Sequence, residues 1–89
     1  MSAHEKALEV AELVRQIRPL LLGKDPDVQG AALADLLAMW LAGHVMRGDP
    51  KMTNKLREMM LKAHIVAVRG LIPLNYKIHV EPQLKTHTQ

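Results

Sequence analysis

Between Asp49-Pro50 and Pro73 the chain reads as one helix that is apolar on two opposed sides. Leu56, Met59, Met60, Ala63, Ala67 and Leu71 fall in one stripe at helical spacing. Leu61, Ile65, Val68 and Ile72, stepped 4, 3 and 4, fall in a second stripe on nearly the opposite side. Lys55, Glu58, Lys62 and Arg69 separate the stripes along one edge, Arg57 and His64 along the other. A small bundle has room to cover one such stripe. The second, left bare, is the kind of apolar patch that marks an interface. The simplest cover is the same row on a second copy, related by a two-fold axis. A tail folded back over the row is the intramolecular alternative.

The rest of the chain fits this frame. Ser2 followed by Glu5 is a capping box, and Val10, Val14, Ile17 and Leu21 continue it as an apolar stripe, which predicts a helix over 3–22. Pro19 is expected to kink that helix or start a new turn, and Gly23 to end it. Asp25-Pro26 is a second start signal, an N-cap acid followed by proline at the first helical position. It predicts a helix over 26–42, with Gly43 as its left-handed C-terminal cap. Leu33, Leu36, Leu37, Trp40 and Leu41 share one broad face of it, and the opposite face is small-residue apart from Asp35. Gly48-Asp49-Pro50 repeats the start signal and predicts the third helix over 52–72, stopped by Pro73. Beyond it Tyr76, Ile78 and Val80 alternate with Lys77, His79 and Glu81, the period of a strand.

The fold expected is all-α: a small three-helix bundle over 1–73 with an extended C-terminal arm over 74–89, completed by homodimerisation. Eighty-nine residues suffice for one domain, but a chain this short buries only roughly 60–65 % of its unfolded surface, so a partner would add needed stability. The expected subunit contact is Leu61, Ile65, Val68, Ile72 and Tyr76.

Chemistry finds little to stand on. The chain has no cysteine, which excludes disulfide scaffolds, thiolate metal ligands and cysteine nucleophiles. Its hydroxyls are Ser2, Thr53, Tyr76, Thr86 and Thr88; the first two are explained as helix caps and no Ser/His/Asp arrangement suggests itself. The five histidines form no His-x-x-x-His pair, so a metal or small-ligand site would have to draw on separate segments, such as His44, His64 and Asp35. His44 is placed to meet the carbonyl end of the second helix. His64, with Asp35 or Arg57 beside it, is a candidate pH-sensing group at the subunit contact. Asp35 itself calls for an arginine partner, Arg15, Arg18 or Arg69, if it is buried. No catalytic, cofactor-binding or metal residue is assigned.

Charge is uneven. Residues 1–43 hold four basic and six acidic groups, residues 44–89 eight and three, giving net −2 and +5. The basic half supports an alternative reading in which Arg47, Lys51, Lys55, Lys62 and Arg69 contact nucleic acid or an acidic partner. Against it, no aromatic residues interleave that stripe, and a solvated basic edge explains it better. The start of the chain shows no apolar signal core, and the longest uncharged apolar run, Leu36 to Met46, falls short of the roughly 20 residues a bilayer needs. The reading is a cytoplasmic, homodimeric interaction or scaffold module that does not enter the membrane.

Overall fold

Ser2 opens the first helix as its position predicts. Its extended backbone (φ −73°, ψ 165°) turns the hydroxyl to accept from the Glu5 amide at 3.1 Å, which satisfies one of the free N–H groups of the first turn. In the computed structural model, which describes residues 1–87, the chain is all-α with three principal helices. Helix α1 spans Ala3–Leu21, α2 Pro26–Ala42 and α3 Pro50–Asn75. A π turn, Tyr76–Val80, and a short α4, Glu81–His87, follow α3 without a break. The chain divides into two compact units, residues 1–37 and residues 38 onward.

In the first unit, Pro19 sits inside α1 and does not end it; the helix runs on to Leu21. Gly23 then takes the left-handed conformation (φ +79°) that other residues resist. The Gln29 side-chain amide donates to the Leu21 carbonyl at 2.7 Å, tying the end of α1 to the start of α2. Sequence periodicity gave no hint of this bond.

The second unit begins in the last turn of α2. Gly43 was expected to be left-handed and is not: the glycines with positive φ are Gly23 and Gly48. The reason lies in how the end of α2 is capped. Its carbonyls are taken from the side by His44 and Arg57, so no left-handed turn is required there. Gly48 (φ +78°) makes the turn into α3 instead, and Asp49 caps that helix, its carboxylate accepting from the Met52 amide at 3.0 Å ahead of Pro50.

Two expectations about the C-terminal part are corrected. Pro73 does not stop α3, which continues to Asn75. The alternating segment Tyr76, Ile78, Val80 is helical rather than extended, and the arm expected from Leu74 is helix as far as His87. A lone strand leaves its backbone groups without ladder partners, whereas a helix satisfies them internally. The π turn has a local cause as well. Pro82 brings no N–H, and its ring crowds the carbonyl four residues back. Just before it the helix widens, and the Glu81 amide donates to the Tyr76 carbonyl, five residues behind. A Glu81–Lys85 ion pair at 3.2 Å then supports α4.

No hydrophobic side chain is buried among the described residues; Thr53, 6 % exposed, is the sole buried residue among them. The stripe expected to form the core of α3 is bare at Met59 (68 %) and Leu71 (50 %) and half-covered at Leu56 and Met60.

Candidate interaction surface

The surface of α3 is organised by what it gives to the end of α2. Thr53, Leu56, Arg57, Met60, Leu61 and His64 are buried or half-buried and recur at steps of 3 and 1, which places them on one face. That face is centred on the Arg57–His64 edge, which by spacing alone is a polar divider between the two apolar stripes. The Arg57 guanidinium donates through Nε to the Leu41 and His44 carbonyls, both at 3.2 Å, and through a terminal nitrogen to the Ala42 carbonyl at 2.7 Å. A planar cation suits the negative end of a helix, where carbonyls lack amide partners.

Thr53 completes the corner. Its hydroxyl accepts from the Met46 amide at 2.9 Å and donates to the Met46 carbonyl at 3.2 Å, closing the loop between α2 and α3. It is a loop clamp, not the helix cap that its place near a start signal suggested. The open groove beside it, lined by Val45, Met46, Asp49, Asn54 and Arg57, is shallow and belongs to the same corner.

His44 stands where the sequence placed it, with Nδ1 2.6 Å from the Trp40 carbonyl. A carbonyl can only accept, so Nδ1 carries the proton in this bond. The His44 ring meets Trp40 edge-on at 5.2 Å between centroids, and His64 approaches the same indole at 5.6 Å with a tilted ring. Trp40 thus brings the two histidines to one aromatic cluster. Asp35 lies in the other unit, exposed, and needs no arginine to offset burial. Among the described residues, no three His, Asp or Glu side chains are grouped to hold a metal ion.

Because α3 leans on the end of α2 through its Arg57–His64 edge, both apolar stripes are left to either side. Leu61 is half-buried beside Ala38, Leu41 and Ala42. Beyond His64 the cover ends. Ile65 is 41 % exposed, Val68 43 %, Ile72 61 % and Tyr76 48 %. These five residues are one continuous row on the structure, as the 4, 3, 4 spacing predicts, and the row lies open to solvent below Leu61. Arg47, Lys51, Lys55, Lys62 and Arg69 are exposed, and the ion pairs found among the described residues, Glu12–Arg15 and Glu81–Lys85, engage none of them.

On α1, Glu12 accepts from Arg15 and Gln16, and those bonds hold its carboxyl below the usual carboxylate range; the same contact with Glu12 raises Arg15. No helix among the described residues is long and apolar enough to cross a membrane. No family model, curated protein or solved structure matches the chain.

Proposed function

We propose that this chain is a homodimeric interaction or scaffold module of the cytoplasm, with α3 and its helical continuation at the subunit contact. The observation that carries the reading is an ordered helical chain with no buried hydrophobic side chain among its described residues. Ordering a backbone costs roughly 1–2 kcal/mol per residue, and burial of apolar surface is the main term that offsets it. Here the offset has to come from apolar surface outside the chain. Beyond Leu61 the row through Ile65, Val68, Ile72 and Tyr76 lies open to solvent along α3, and two-fold self-pairing is the commonest way such a row is closed.

Light scattering on the purified chain tests this. The wild type is expected at about twice its 10.0 kDa mass at micromolar concentration. Ile65→Glu together with Val68→Glu places two charges in the seam and is expected to give monomer or loss of helicity by circular dichroism. A monomeric wild type, or a double variant with wild-type mass and helicity, refutes the reading. A nucleic-acid function would show itself separately, as binding of a labelled oligonucleotide that falls steeply with salt and weakens when Lys55, Lys62 and Arg69 are neutralised.

A further inference from the structure

Resting on the dimer reading above, we infer that the π turn carries the α3 seam in register as far as Leu84, and that two copies pair along it antiparallel, with Leu61 of one facing Leu84 of the other. In an unbroken α-helix, at about 100° per residue, Val80 and Leu84 would rotate well off the line of Leu61, Ile65, Val68 and Ile72. The π turn, closed by the bond from Glu81 to Tyr76, holds an extra residue and turns the helix back. Val80 and Leu84 thereby return to the side of Ile72 and Tyr76.

Area decides whether the extension matters. Ile65, Val68, Ile72 and Tyr76 expose roughly 400 Å² together, so two copies would bury roughly 800 Å², no more than a crystal-packing contact. Val80 (42 % exposed) and Leu84 (49 %) raise the total to roughly 1,100 Å², past the roughly 1,000 Å² a specific interface needs.

Symmetry and charge select the occupant and its direction. Leu61, Ile65 and Val68 lie 11, 7 and 4 residues before Ile72, while Tyr76, Val80 and Leu84 lie 4, 8 and 12 after it. A row nearly symmetric about its middle is what a two-fold axis through Ile72 requires of a surface that pairs with itself. The antiparallel arrangement sets Lys62, on the flank of the seam, opposite Glu81 of the second copy. A parallel arrangement would set Lys62 toward the edge that carries Arg57, placing like charges together.

The chain's lack of cysteine makes the test direct. Leu61→Cys and Leu84→Cys proteins are prepared singly and as a mixture, allowed to exchange subunits, and oxidised, with the mass in solution measured alongside. A disulfide between the two variants in the mixture, with neither linking to itself, is expected. Self-linking of either variant alone overturns the antiparallel pairing. A dimeric mass with no cross-link overturns the seam's extension to Leu84 while the dimer reading survives; a monomeric mass at wild type removes both. Removal of Lys77 takes the extra residue out of the π turn, and the same cross-link is expected to persist. Its loss in a protein that remains dimeric refutes the role given to the turn.

Discussion

Replacing Arg57 by Met is the sharpest test of how the corner between α2 and α3 is held. Met keeps much of the apolar stem and removes every donor. The arginine supplies bonds to three carbonyls, of which the 2.7 Å contact with Ala42 is the strongest and the two at 3.2 Å share one N–H. A hydrogen bond from a charged donor is worth about 1.5–3 kcal/mol net, and carbonyls that water can reach recover part of that when the donor is removed. Two effective bonds, discounted for this half-exposed site, give a loss of about 2–3 kcal/mol. For a chain of this size the melting temperature should fall by roughly 10–20 °C. Arg57→Lys keeps a cation at the helix end, worth about 0.3–1 kcal/mol, but loses the fork, so its stability is expected between the two. Urea unfolding at one fixed protein concentration is the assay, because a dimer's apparent stability depends on concentration. If Arg57→Met unfolds within about 0.5 kcal/mol of wild type, the guanidinium does not hold the corner and the assignment of this edge as the intramolecular contact is wrong.

Further expectations follow from other residues. Thr53→Val keeps the shape but removes the acceptor of the Met46 amide, while the Met46 carbonyl keeps the Asp49 amide as its donor; a loss of about 1–2 kcal/mol is expected in the same unfolding assay, with Thr53→Ser milder. Gly48→Ala forces an alanine into positive φ and should destabilise by about 1 kcal/mol, whereas Gly30→Ala, inside α2 with open space around the new methyl, should stabilise by about 0.5–1 kcal/mol; equal effects of the two would contradict the backbone assignment. Glu12 has a folded value below its unfolded one, so its contribution is present above about pH 4.3 and lost as pH falls through the lower folded value. The site is exposed and the effect on stability small, so the check is the NMR titration of the Glu12 carboxyl, whose midpoint should lie below about 4.3 and rise in Arg15→Ala.

The all-α class and the starts of the three principal helices could be read from residues alone. Ser2 with Glu5, Asp25 with Pro26 and Asp49 with Pro50 act within one turn of themselves, so their chemistry is complete in the local sequence. The apolar stripes were equally legible, because helical spacing defines a face before anything packs on it. Features that answer to groups elsewhere in the chain were not legible. Gly43 is released from a left-handed cap by an arginine 14 residues later, and Thr53 turns from its own helix start to the backbone of Met46. Tyr76, Ile78 and Val80 carry a strand-like alternation that means nothing without a neighbouring strand, and the proline at 82 widens the helix instead of ending it. Spacing along the chain says which side chains share a surface; which surface meets which is settled by contacts among distant residues, such as those Arg57 makes at the end of α2.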